Sequence, residues 1–409
     1  MFASIRESLS LFLSLLAFGP FAILLLFAIR RVIFTLTLFR SQPPLPELRE
    51  PPAVLLLVPA RNEQAALPGL FACLDQLEYP QDKLRVALID DGSTDASGAL
   101  MTQAAASHGN WRVFRLPHNV GKPEALRRAV KEHEFGEIVY VFDADHRPRP
   151  DCLRQAMRAF GDPRVAGVSG RTIPSNTYAS PVAFYAALES LVHQLITMRG
   201  KDVLNLGPAL LGSNNGYRRS ALLEVGGFRP GVFLEDSDLT LALYRAGYTV
   251  RYVPQAISTL QVPFTIAGFI KQHIRWGRGF NDVARTHLPA LLHDVRLPAL
   301  MRLELAIFAV GYLDRVALLG MIGLMVLDGI FGPTQGRPLQ MGGIALNLGL
   351  PFIQIVAALA YDRAPLAMWL RLPFVPLFFV LDAGIAVWSL ALTLLNRPRV
   401  WTQTERADV

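Results

Sequence analysis

From Leu9 to Ile29 the chain carries no charge, and a helix of about 20 apolar residues is what the hydrocarbon of a bilayer demands. A cleaved signal peptide has a shorter apolar region and a small-residue cleavage site. Here Arg30, Arg31 and Arg40 follow directly, so the segment reads as a spanning helix whose following side is cytoplasmic. A second apolar block predicts spans at Leu303 to Leu327, Met341 to Ala360 and Leu372 to Leu395, broken by Pro333, Gly336 and Arg337 and then by Asp362, Arg363 and Pro365. Four spans put the tail from Asn396 to Val409 outside, whereas its Arg397, Arg399 and Arg406 favour the inside. Asp314 and Arg315 interrupt the first of these spans and predict a split or re-entrant segment whose ionisable pair faces protein or water.

Between these blocks the chain changes character. Residues 1–40 form the first helix, 41–52 a stiff linker with Pro43, Pro44, Pro46, Pro51 and Pro52, 53–258 an α/β unit, 259–300 interface helices, 301–396 the second helical block and 397–409 a tail. Val54 to Val58, Val86 to Asp90, Val113 to Leu116 and Ile138 to Asp143 read as strands, alternating with helical patterns such as Ala96 to Ser107 and Glu124 to Glu132. Such alternation predicts a mostly parallel, Rossmann-like sheet covered by helices, with ligands beyond the carboxyl ends of its strands. No Gly-x-Gly-x-x-Gly follows the first strand and no Gly-Lys-Ser/Thr loop occurs, which removes the dinucleotide and P-loop readings. Hydrophobic residues are 52% and charged residues 18% of the 409, a balance that excludes disorder. Two cysteines, Cys73 and Cys152, supply neither a disulfide framework nor a four-ligand zinc site. The net charge of +7 is dispersed without a nucleic-acid-binding motif.

The strand ends carry the candidate chemistry. Asp143 and Asp145 can together hold a hard divalent cation, Mg²⁺ or Mn²⁺, against phosphate oxygens; an Asp so placed can equally cap a helix. Asp90 and Asp91 precede Gly92 and read either as site or as turn residues. Glu235 and Asp236 open a helical pattern, where Asp236 is either a cap or the base that takes a hydroxyl proton. Lys122, in a turn with His118, Asn119 and Gly121, can reach phosphate. His146 reads first as a local hydrogen-bonding residue. Gln272, Arg275 and Trp276, at helical spacing on a mixed apolar and basic stretch from Val262 to Phe280, share one face. They are either interfacial anchors or a pocket wall in which Trp276 stacks on a sugar and Arg275 faces a diphosphate.

In order and spacing, Pro59-Ala60-Arg61-Asn62-Glu63, Asp90-Asp91-Gly92-Ser93, Asp143-Ala144-Asp145-His146, Gly212-Ser213, Glu235-Asp236 and Gln272-His273-Ile274-Arg275-Trp276 resemble the membrane-integrated family 2 glycosyltransferases, the group of cellulose, hyaluronan and poly-N-acetylglucosamine synthases. The resemblance implies a GT-A fold that takes a nucleotide sugar, with UDP the expected nucleotide. It implies a donor site of Pro59, Arg61, Asn62, Glu63, Asp90, Asp91, Lys122, Asp143, Gln272, Arg275 and Trp276, and an acceptor site of Gly212, Ser213 and Trp276. Asp145, helped by Asp143, takes the place of the metal ligand, and Asp236, beside Glu235, that of the general base. The implied protein is an inverting enzyme integral to the inner membrane, its catalytic domain cytoplasmic, building a polysaccharide processively and guiding it across the bilayer; the alternative is single transfer to a lipid-linked acceptor. A non-catalytic membrane scaffold or transporter with a nucleotide-sensing domain is the alternative from another class. Departures are Ala209, Leu210 and Leu211, where processive cellulose synthases have aromatics and a cysteine, and Arg127, where Asn is usual. The first of these implies a differently shaped acceptor site.

Overall fold

The computed structural model describes residues 2–48 and 50–398, so Arg399 and Arg406 of the tail lie outside the described residues. Its strands are β1 (Val54–Ala60), β2 (Leu84–Asp91), β3 (Trp111–Leu116), β4 (Ile138–Val141), β5 (Arg147–Pro148), β6 (Val165–Pro174), β7 (Asn215–Arg218) and β8 (Thr249–Leu260). The helices of the α/β unit are α2 (Leu67–Leu74), α3 (Ser97–Ala106), α4 (Lys122–Glu132), α5 (Cys152–Met157), α6 (Pro181–Val192), α7 (Arg199–Val203), α8 (Arg219–Glu224) and α9 (Glu235–Arg245). Before them comes α1 (Phe2–Leu36), and after them α10 (Ile266–His293), α11 (Ala299–Ala309), α12 (Leu313–Phe331), α13 (Arg337–Tyr361), α14 (Leu366–Trp369) and α15 (Val375–Leu394).

The sheet runs β3-β2-β1-β4-β7-β6-β8-β5. β1 to β4 are parallel, and every residue of β1 is buried, as expected of a central strand covered on both faces. Helices α2, α3 and α5 pack one face and α4, α9 and α11 the other. The register Ala60↔Asp90 brings the loops after β1 and β2 side by side. β7 then runs antiparallel to β4 with Val141↔Asn215, so the loop entering β7 meets the chain leaving β4. One edge thus collects residues from four separate loops. The fourth strand ends at Val141, earlier than the expected Asp143, because the chain turns into that loop with Asp143 and Asp145 both beyond the ladder.

Three helical segments, Ser10–Phe39, Arg337–Tyr361 and Leu366–Leu394, are long and apolar enough to cross a membrane. The expected span Leu303 to Leu327 is the pair α11 and α12, bent by 68° at residues 310–312, a split segment as Asp314 and Arg315 predicted. Charges cluster beside the bend. Asp314 pairs with Arg31, and Arg315 pairs with Asp382, while Arg30 and Lys201 converge on Glu304 at 2.8 and 3.1 Å. Buried charges must be paired, and Glu304 before the bend and Asp314 after it both find partners on α1. The arginines after Ile29 are therefore internal partners within α1, whose helix continues to Leu36.

Candidate active site

A cavity of about 900 Å³ opens at the carboxyl edge of the sheet and continues between the helices. Of the residues expected at the site, Pro59, Arg61, Glu63, Asp91, Lys122, Asp143, Asp145, Gly212, Ser213, Glu235, Asp236, Gln272, Arg275 and Trp276 line it together. Asn62 and Asp90 do not. Asn62 sits at φ 56° and accepts the Thr94 N–H at 2.8 Å. Asp90 accepts the Ser93 N–H at 2.9 Å and pairs with Arg115 at 3.2 Å. Both hold neighbouring loops in place.

Asp91 does the same from the cavity wall. Its two oxygens accept the N–H groups of Val120 and Gly121 at 2.7 and 2.9 Å. This fixes the turn at Gly121, whose φ is 85°, and so aims the first residue of α4, Lys122, into the cavity. An Asn at position 91 keeps one acceptor and sets an NH₂ against the other N–H. We expect Asp91→Asn to lose about 1–3 kcal/mol of stability and to raise the donor KM. Thermal melts and initial rates check this, and an unchanged melt with an unchanged KM contradicts it.

The Lys122 ammonium lies 2.8 Å from Asp143 Oδ1 and 3.1 Å from Glu235 Oε1, and donates to the Gly212 carbonyl at 2.7 Å. Its pKa is raised, with Asp143 and Glu235 overcoming the opposing effect of burial. The Asp143 N–H donates to Ser213 Oγ at 2.7 Å, tying the two loops together. Asp143, Asp145 and His146 offer ligand atoms all within 4.8 Å of one another. Burial, followed by the charge of Asp143, pushes the Asp145 carboxyl up to about 7. A carboxyl that resists ionising beside another carboxylate is one that a cation stabilises, so the residues fit a divalent ion. His146 is held neutral by burial, its pKa down to about 4, and its Nδ1 lies 2.9 Å from Ser258 Oγ. Arg147 braces the loop by donating to the carbonyls of Ala144, His146 and Ala66.

Asp236 stands in the first turn of α9, accepting the N–H of Ser237 on Oδ1 at 2.6 Å. Burial, then the charge of Glu235, pushes its carboxyl up to about 7. Gly212, at φ 80°, passes so close that an added Cβ would lie 3.1 Å from Asp236 Oδ2. A glycine is thus required there for both backbone and space. The loop before α9 is anchored through Asp238, which binds Arg229 and lies 2.8 Å from His287 of α10.

Gln272, Arg275 and Trp276 face the cavity from α10, and Gln272 and Arg275 have no hydrogen-bond or ion-pair partner among the described residues. His273, between them, also lines the cavity and lies 3.1 Å from Glu189 of α6. The sequence reading missed this strut, and although it placed Asp314 and Arg315 against protein or water, it missed that they meet Arg31 and Asp382 deeper in the cavity. Ionisable residues inside apolar runs were the available signal.

The Glycosyl transferase family group 2 model matches residues 138–394. The chain belongs to that family. This glycosyltransferase is 29% identical over 338 residues to an N-acetylglucosaminyltransferase of Rhizobium leguminosarum bv. viciae, covering 78% of this chain and 72% of that one. It is 26% identical over 242 residues to the poly-beta-1,6-N-acetyl-D-glucosamine synthase of Staphylococcus epidermidis, covering 56% and 55%. The chain spans between about half and three quarters of the length of such relatives. Among solved structures, the mannosyltransferase PcManGT from Pyrobaculum calidifontis, in complex with GDP-Man and Mn²⁺, shares the fold with a TM-score of 0.65 at 22% identity, covering 96% of this chain and 100% of that one. The fold is the GT-A sheet that the resemblance implied, joined to helices able to span a membrane.

Proposed function

We propose that the protein is an inverting polysaccharide synthase of the inner membrane, with its catalytic domain cytoplasmic, using a UDP-sugar donor and adding sugars processively. The observation that carries this reading is the continuity of the cavity. One space is lined by Asp143, Asp145 and Asp236 at the sheet edge and by residues of α1, α12, α13 and α15 farther in, including Phe27, Leu318, Gln354 and Phe379. Its inner charges are matched: Arg30 and Lys201 meet Glu304, Arg31 meets Asp314, and Arg315 meets Asp382. Such a wall suits a neutral hydroxylated chain better than a lone anion. The names of the Rhizobium and Staphylococcus relatives make UDP-N-acetylglucosamine the first donor to offer.

In this mechanism Asp236 accepts the proton of the acceptor hydroxyl as its oxygen attacks the anomeric carbon from the face opposite the diphosphate. The bond from that carbon to the diphosphate oxygen breaks, and the electron pair leaves with the nucleotide. Asp143 and Asp145 would hold a Mg²⁺ or Mn²⁺ ion, which would neutralise the charge growing on the diphosphate. Arg61, whose Nε is buried without a hydrogen-bond partner, and Arg275 add fixed positive charge around the donor, and Trp276 offers a face for sugar stacking. A diphosphate so neutralised leaves without a protonating acid, so one protein carboxylate suffices for proton transfer, unlike the pair in glycosidases.

The test is a panel of UDP- and GDP-sugars offered to the protein in nanodiscs with Mg²⁺ or Mn²⁺, scoring nucleotide release and product size. Long products support processive synthesis; no turnover with any donor removes the reading. The wall of Ala209, Leu210 and Leu211, apolar and without aromatics, favours a second reading, single transfer to a lipid-linked acceptor, for which products stop at one sugar.

The base also sets a pH limb. With the Asp236 carboxyl raised to about 7, the proton-accepting form is depleted below that pH. The transfer rate should then fall about tenfold per unit on the acid side and level off on the alkaline side. A profile flat down to about pH 5, near the unperturbed carboxylate range, rules this out.

A further inference from the structure

The three donors of the Lys122 ammonium are all engaged, by Asp143 Oδ1 at 2.8 Å, Glu235 Oε1 at 3.1 Å and the Gly212 carbonyl at 2.7 Å. These oxygens come from three different segments: the loop after β4, the start of α9 and the loop entering β7. Two carboxylates and a carbonyl at such distances are also the kind of set that a hard divalent cation takes. The same Asp143 belongs to the cluster with Asp145 and His146 that can hold such an ion. A cation on Asp143 thus stands next to an ammonium already in contact with that carboxylate, and two cations so close repel strongly.

We propose that Lys122 and the divalent cation compete for Asp143, and that a nucleotide diphosphate resolves the competition by taking the Lys122 ammonium for itself. This rests on the metal-dependent reading above and adds an order to it. Metal alone binds poorly, metal and nucleotide bind cooperatively, and Lys122 is the coupling element. Side-chain reach makes the exchange local: Lys122 is the first residue of α4, on a turn held by Asp91, so its flexible stem can turn without moving the backbone. Ammonium leaves the carboxylates as a divalent ion arrives, and the carboxylate cluster trades one positive charge for two while the diphosphate gains the third. By linkage, the factor by which nucleotide tightens metal is the factor by which metal tightens nucleotide.

The test measures Mn²⁺ binding itself, by the electron paramagnetic resonance of the free ion, with the full chain in nanodiscs, with and without UDP. In the wild type, UDP should tighten Mn²⁺ by about tenfold or more, within the usual range for coupled sites. In Lys122→Met, Mn²⁺ alone should bind about tenfold tighter than in the wild type, and the gain from UDP should shrink. Lys122→Arg keeps the charge and should keep the weak binding of metal alone. Should Lys122→Met fail to melt cooperatively, Lys122→Gln makes the same comparison with the same expected gain. If Mn²⁺ binds every variant in the presence of UDP but neither neutral variant gains affinity for metal alone, the competition is rejected and the transferase reading stands. If Mn²⁺ binds in no arm, with UDP or with GDP, both fall together.

Discussion

Asp236→Asn is expected to lower sugar transfer by a factor on the order of 10² or more while nucleotide binding persists. The side chain sits where a base is useful and where a structural acid is not needed. Its carboxylate accepts the local Ser237 N–H at 2.6 Å, which an amide oxygen can still accept, so the helix start survives the substitution. The charged contacts of Lys122 go to Asp143 and Glu235, so the diphosphate side of the cavity is left as it was. What is lost is the ability to take a proton. Asp236 lines the cavity, where an acceptor hydroxyl can reach its carboxylate. The measurement pairs single-turnover transfer with UDP affinity by calorimetry. Near-normal turnover rejects Asp236 as base, and a loss of UDP affinity parallel to the loss of rate assigns it to binding instead.

The parts of this arrangement that the sequence made legible are those with strong local signals. β1 is a continuous apolar run and every residue of it is buried; α9 begins at Glu235, as its pattern required. The four strands after β4 escaped: β5 and β7 have two and four residues and no apolar alternation of their own, and β6 and β8, with ten and twelve, mix polar residues into their runs. They exist because neighbouring strands offer ladders to them. Within the site, residue type pointed to Asp90 and Asp91 alike, but only pairing geometry shows Asp90 turned to Arg115 and Asp91 turned to the Lys122 loop. Arg30 and Arg31 read as a topology signal from their place after an apolar run; that Glu304 and Asp314, far along the chain, are their partners is visible only in the fold. Long-range ion pairs leave no trace in a local window, whereas Asp314 and Arg315 inside an apolar run did mark the segment that breaks by 68°.

Asp145→Asn should cost a comparable factor by a different route. Asp143 is shared with Lys122, whereas Asp145 is the deeper carboxyl, pushed up to about 7 by burial and by Asp143. A divalent cation repays that burial, and the amide removes the charge that does so. With about 3 kcal/mol of charge stabilisation lost from the leaving diphosphate, transfer falls on the order of 10²-fold. The distinction from Asp236→Asn lies in what else changes. Mn²⁺ affinity in the presence of UDP should fall with the rate in Asp145→Asn and stay near wild type in Asp236→Asn. Raising Mn²⁺ should therefore recover part of the activity of the first variant and none of the second. Equal Mn²⁺ affinity in Asp145→Asn and wild type would place the cation elsewhere, and would leave the raised carboxyl of Asp145 to be explained as a proton-bearing partner of Asp143.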